Sequence, residues 1–196
     1  MHKDKVIKRI NSAIQPWERL SAECSFANLP WFGVYRDTIR LPSGRIVDDY
    51  YRIELPEYVM IYAQKDDGKV LFQRQYKHAL GAITLALPTG CLENGEIHID
   101  GGKREFLDET GYVAHQWKFL GSFMVDGNKG CGKAHFYIVN HLEKRAEPLE
   151  DDMEESGIVF LEPELIFRAV LNGEISLLAT ATLIAIVSHP YISGRK

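Results

Sequence analysis

The chain has 196 residues, 45% hydrophobic and 26% charged, with a formal net charge of −4. That length favours one sizeable core, and the acidic balance excludes a general nucleic-acid binder, which would show a basic excess. Cys24, Cys91 and Cys131 are odd in number, widely spaced and without metal-ligand spacing, which fits free thiols in a reducing compartment rather than a disulfide framework.

In chain order, the opening "MHKDKVIKRINSAI" carries charges throughout and lacks the apolar run of a signal peptide. Val6, Ile7, Ile10 and Ile14 are spaced for a short amphipathic helix over 3–14, which Pro16 breaks. From Trp17 to Tyr76 the texture is strand-like. "WFGVYRDTIRL", "RIVDDYYRIEL", "EYVMIYAQ" and "KVLFQRQY" are rich in β-branched and aromatic residues, with "LPSG" and "KDDG" as turns. A helix is predicted over 97–110, ended by Gly111. Strands over 117–125 and 134–140, an acidic loop from Glu143 to Gly157 and a strand at "IVFL" follow. Two helices, 163–172 and 175–188, are separated by Asn172-Gly173. The longest apolar stretch, 177–187, is too short to span a bilayer and reads as a buried helix. The expected class is α+β, a mixed sheet with helices packed on it and antiparallel strands at the N-terminus. No membrane contact is expected, and the expected setting is cytoplasmic.

Two glycine-rich stretches invite a chemical reading. "GNKGCGKA" (127–134) nearly spells a phosphate-binding loop, but Ala134 lacks the hydroxyl that would reach Mg²⁺, and the following "AHFYIVN" alternates like a strand. It reads as a hairpin loop whose Asn128 and Lys129 could still reach a ligand. The second stretch is "GCLENGEIHIDGGKREFLDETGY" (90–112). On a helix, Glu105 and Glu109 lie one turn apart with Asp108 beside them, and like charges at that spacing repel. A hard divalent cation such as Mg²⁺, which prefers oxygen ligands and retained waters, turns the crowding to use. The alternative is a solvated acidic helix face.

The pattern Gly90, Glu96, Arg104, Glu105, Phe106, Asp108, Glu109, Gly111, Tyr112 resembles the Nudix box, G-x5-E-x7-R-E-U-x-E-E-x-G-U, departing only where Asp108 shortens a glutamate. "WERL", "RLPSGRIV", "DDGKVLFQRQYKHALG" and "LALPTG" before it, and "DDMEESGIVFLEPEL" and "LNGEIS" after it, resemble the ADP-ribose pyrophosphatase branch. The resemblance implies a Nudix fold, its mixed sheet sandwiched between helices, in which Mg²⁺ (or Mn²⁺) activates water against the pyrophosphate of a nucleoside diphosphate sugar. ADP-ribose, split to AMP and ribose 5-phosphate, comes first. It implies Glu105 and Glu109 as metal ligands, Asp108 as a weaker one, and the Thr89 carbonyl as another. Arg104 would orient the carboxylates, with Glu96 as its buttress. The general base would come from the acidic loop, Glu154 and then Glu155, although those acids can equally be a solvated loop. Arg74 and Lys77 would grip phosphate, with Arg52 a weaker candidate. Trp31, and with it Trp17, would stack a base or else serve as core or dimer contacts.

It further implies a homodimer, with residues 1–45 as a dimerisation or base-binding extension and 46–196 as the Nudix domain. The branch usually writes "ELPAG" where this chain has "ALPTG", and Lys77 stands for an arginine. A proline expected beyond the box gives way to "DGNKG", and Gly101 and Gly102 stand for two alanines. Two glycines within a helix cost about 1 kcal/mol each, so either the helix begins late, capped by Asp100, or something packs closely there. The rival readings are another Nudix specificity (a nucleoside triphosphate, dinucleoside polyphosphate or NADH) and a non-catalytic ligand-sensing module.

Overall fold

Strand β1 (Glu18–Asn28) pairs antiparallel with β2 (Phe32–Arg40), and β2 with β3 (Ile46–Glu54). The computed structural model describes residues 14–149 and 156–193, so nearly all of the helix expected over 3–14 lies outside the described residues. The chain divides after Glu54 rather than after residue 45, because β3 is laddered to β2 from Gly33↔Glu54 to Arg40↔Ile46. Within this first unit Asp37 is buried, 2% exposed, and Arg52 grips it through Nε at 2.5 Å and Nη2 at 3.3 Å. Strand β1 is exposed along all its 11 residues. It falls within the strand-like texture expected from Trp17 onward but lacks the alternation that marks a half-buried strand, so none of the quoted segments set its limits.

The second unit runs from Leu55. Its elements are β4 (Tyr58–Gln64), β5 (Val70–Lys77), β6 (Ala82–Ala86), β7 (Thr89–Cys91), α1 (His98–Thr110), β8 (Tyr112–Asp126), β9 (Gly130–Lys144), β10 (Ser156–Leu161), α2 (Pro163–Leu171), α3 (Leu178–Ser188) and α4 (Pro190–Ser193). β4 lies parallel to β9 and antiparallel to β7, β5 pairs β6 and β10, and β8 pairs β9. The sheet is mixed, as expected. Val59, Ile61 and Ala63 of β4 face a core containing Phe106 of α1. Met60 and Tyr62 face the other core, with Ile166 of α2 and Leu183 and Ile184 of α3. Burial on both faces is why "YVMIYA" is continuously apolar.

Several boundaries differ from expectation for local reasons. β8 and β9 form one long hairpin whose turn is tied by Asp126 Oδ1, which accepts the Asn128 and Lys129 N–H groups at 2.7 Å. Helix α1 starts at His98 with Ile97 as N-cap, so Asp100 sits in the first turn and is not the cap. Gly101 and Gly102 are helical because the helix packs closely there. A Cβ on Gly101 would lie 2.5 Å from Leu92 Cδ2, and one on Gly102 would lie 3.0 Å from Val59 Cγ1. Helix α3 starts at Leu178 rather than 175. The Glu174 carbonyl accepts from Leu85 N–H at 2.8 Å and Thr84 Oγ1 at 3.0 Å, and Ser176 N–H donates to Thr84 Oγ1 at 3.2 Å. Bonding to β6 holds residues 174–176 out of the helix.

The N-terminal turn of α1 rests on a polar network. His98 stacks between Phe119 and His135, with centroids at 4.9 and 4.6 Å, and its Nδ1 is 2.5 Å from the Tyr137 hydroxyl. His135 Nε2 meets Glu57 at 2.7 Å, and Glu57 also accepts from Lys133 at 2.6 Å. Burial, and then the neighbouring His135, pushes the His98 imidazole below its ordinary 6.5. The folded protein therefore resists a proton that the unfolded chain accepts. This leaves stability untouched above about pH 6.5 and erodes it as pH falls below that value. The Lys133 and Arg104 hydrogen bonds hold Glu57 and Glu96 below the usual carboxylate range, so their contribution is lost lower still. The thermal midpoint should fall as pH is lowered from about 7 to about 5.5, and His98→Gln should flatten that slope. An equal slope in the variant would place the acid sensitivity elsewhere.

Candidate active site

Strands β4 and β5 meet at Gln64↔Val70 and then part, β4 taking β7 and β5 taking β6 as partner. Between them opens a cavity of about 550 Å³. Glu105 and Glu109 of α1 line it together with Thr89, Gly90 and Cys91 of β7. Gln73, Gln75 and Lys77 come from β5, and Leu177, Leu178 and Ala179 from the start of α3.

The box residues meet here because α1 packs directly on β7. Gly90 pairs with Val59, and a Cβ on it would lie 2.1 Å from Glu105 Cγ and 2.4 Å from Glu105 Cβ. Arg104 forks onto Glu96, with Nε–Oε1 at 3.0 Å and Nη2–Oε2 at 2.8 Å, and donates from Nη1 to Glu105 Oε1 at 2.8 Å. A bidentate guanidinium of this kind fixes geometry as well as charge. The Glu96 hydrogen bond is the largest cause holding the Arg104 guanidinium in its charged form. Glu96 is tied back to its own turn by the Glu93 N–H at 2.9 Å. Thr89 N–H approaches Glu109 Oε2 at 3.4 Å.

Glu105 and Glu109 thus present hard oxygen donors to one cavity, beside the backbone of Thr89. Among the described residues no group of three or more His, Cys, Asp or Glu side chains gathers to cage an ion. Two protein carboxylates with the remaining positions left to water or phosphate suit Mg²⁺, which keeps several waters. The residues fit the implied cation.

The other expected residues fall as follows. Lys77 lines the cavity, whereas Arg74 is exposed on the opposite face of β5. Positions three apart on a strand cannot share a face. Asp108 is not among the lining residues; its carbonyl accepts Leu149 N–H at 2.8 Å. Arg52 belongs to the first unit and holds Asp37, and also Glu54 at 2.8 Å. Trp31 and Trp17 are 68% and 56% exposed there, Trp17 edge-on to Tyr50. Glu154 and Glu155 lie outside the described residues. The lining residues Gln73, Gln75 and Tyr58 escaped the sequence reading, although counting back by twos from Lys77 reaches both glutamines.

This box helix over a strand-parting cavity, in a sheet covered on both faces, defines the class. The chain belongs to the Nudix family and is a hydrolase: the NUDIX domain model matches residues 55–177. The model of the nucleoside diphosphate sugar hydrolase N-terminal domain matches residues 17–53, and the two matches meet at the boundary between the units. Among relatives, the ADP-ribose pyrophosphatase of Bacillus subtilis (strain 168) is 27% identical over 135 residues, 67% of this chain and 72% of its own length. The methanol dehydrogenase activator of Bacillus methanolicus is 29% identical over 118 residues, 59% of this chain and 63% of its own length. The crystal structure of an ADP compounds hydrolase superposes with a TM-score of 0.79, covering 94% of this chain and 98% of that one. At 19% identity that likeness speaks for the fold alone.

Gly90→Ala tests the packing that brings Glu105 to the cavity. Overpacking should cost about 1–3 kcal/mol of stability, and hydrolysis assayed with added Mg²⁺ should fall far more than the folded fraction does. Thermal unfolding and rate against Mg²⁺ concentration measure the two; wild-type turnover in this variant would show the contact to be dispensable.

Proposed function

We propose that the protein hydrolyses the pyrophosphate bond of a nucleoside diphosphate sugar, ADP-ribose first among them, with Mg²⁺ (or Mn²⁺) held by Glu105 and Glu109. The observation that carries this reading is the single cavity onto which those two carboxylates and Lys77 open. The matches to a nucleoside diphosphate sugar hydrolase N-terminal domain and to an ADP-ribose pyrophosphatase support the substrate class.

When bound, the cation offsets charge on the phosphoryl oxygens and lowers the pKa of the attacking water. The chain's own residues do the rest. Arg104, steadied by Glu96, holds Glu105 in its working rotamer. Lys77 contacts a phosphate oxygen as a point charge. Asp108 is a peripheral ligand, and the Thr89 carbonyl a further one. Glu154, with Glu155 as the alternative, accepts the proton of the attacking water. Supporting this, the described chain on either side of the acidic segment borders the site, with Leu149 bonded to Asp108 of α1 and Ser156 paired with Gln75 of β5. We take the molecule to act as a cytoplasmic homodimer, a reading supported by the exposed strand β1 and by exposed Phe26 and Trp31. In that arrangement Trp31 and Trp17 stack the base.

The deciding experiment is kcat/KM, with and without Mg²⁺, across ADP-ribose, other nucleoside diphosphate sugars, nucleoside triphosphates, dinucleoside polyphosphates and NADH. The best substrate is expected among the first two groups, with turnover lost on chelation. A best substrate among the last three overturns the reading, and binding without turnover leaves a sensor instead. For the base, Glu154→Gln should lower kcat by about 10²–10⁴-fold with KM little changed. A silent Glu154→Gln beside a dead Glu155→Gln moves the role one residue on.

A further inference from the structure

Gln73 and Gln75 are the most buried polar side chains of the cavity wall, 2% and 5% exposed. Neither bonds to a described residue through its side chain and neither carboxamide is sealed from solvent, so both polar ends open onto the cavity they line. They share one face of β5 with Lys77, at a spacing of roughly 7 Å per pair of residues. Across the β5–β6 ladder Gln73 lies opposite Ala86, also on the cavity, whose methyl side chain leaves the carboxamide room. Other parts of the wall are apolar, with Met60, Leu87 and Leu178, and Lys77 is the only cation among the described lining residues.

We propose that Gln73, with Gln75 beside it, sets specificity by reading the hydroxyl groups of the sugar half of the substrate. This rests on the nucleoside diphosphate sugar reading above. A carboxamide offers two donors and an acceptor, which matches the hydroxyls of a neutral sugar, each able to donate and accept. An apolar group would leave both carboxamides unpaired, and a site built to bond a hydroxyl discriminates strongly against an analogue without it.

The test is a ratio, which cancels any loss of folded enzyme. For wild type, Gln73→Leu and, independently, Gln75→Leu, kcat/KM is measured for ADP-ribose and for ADP carrying a methyl ester in place of the sugar. The sugar-to-methyl ratio should fall about tenfold in Gln73→Leu, the worth of one hydrogen bond near the upper end of the usual net range. The ratio between adenosine and uridine diphosphate sugars should hold steady. An unmoved sugar ratio, or a shift in the base ratio instead, overturns the role of Gln73 while leaving the substrate class standing. Failure of the wild type to cleave any nucleoside diphosphate sugar overturns both.

Discussion

Helix α1 and strand β7 approach until residue 90 can carry no side chain. With a Cβ there only 2.1 Å from Glu105 Cγ, glycine is the one residue that allows the contact, and the contact delivers Glu105 to the cavity. The same closeness recurs along the helix, where Leu92 and Val59 fill the space that side chains at Gly101 and Gly102 would take. Helix propensity is given up at those two positions, about 1 kcal/mol each. In return the helix backbone lies against the sheet and its functional face is held at fixed depth. Arg104 completes the arrangement by tying the loop acid Glu96 and the helix acid Glu105 into one rigid fork.

The sheet creates the cavity by failing to stay closed. β4 and β5 form a hairpin at Gln64↔Val70 and then exchange each other for β7 and β6. Their facing side chains are left around a space instead of a ladder. Both faces of the sheet remain covered, by α1 on one side and α2 and α3 on the other. The opening is therefore a local departure in an otherwise packed layer. Thr84 links this departure to α3: by engaging Glu174 and Ser176 it delays the helix until Leu178, so the start of α3 forms a wall of the cavity.

What the sequence made legible follows from how local each determinant is. The fork of Arg104 on Glu96 was expected from the resemblance to the Nudix box, which implies that pairing. Gly111 ends α1 in the left-handed conformation, φ 71°, as its position foretold. β1 fell within the strand-like texture that begins at Trp17, but its limits were not set, because a strand with both faces exposed has no alternation to mark them. Arg74 and Lys77 looked like one grip because they are close in sequence, but a period of two sends them to opposite faces. The late start of α3 depends on Thr84, far away in the chain, and no local pattern around 175 carries that information. The acids at 154 and 155 sit in a charge run, and it was the family resemblance that singled them out; they lie outside the described residues.

The acids of the box helix also carry an electrostatic argument. Asp108 and Glu109 occupy the last turn of α1, where the helix dipole is negative, and no basic residue of that turn offsets them. A carboxylate at that end costs roughly 0.3–1 kcal/mol at an exposed site, and its neighbour one turn back adds repulsion. Arg104 relieves Glu96 and Glu105 but sits toward the middle of the helix. A sequence shaped for helix stability alone would place these charges at the other end. Their position is instead the one that turns Glu105 and Glu109 toward the cavity floored by Gly90. There the charge gathered on the helix is charge that a divalent cation would neutralise.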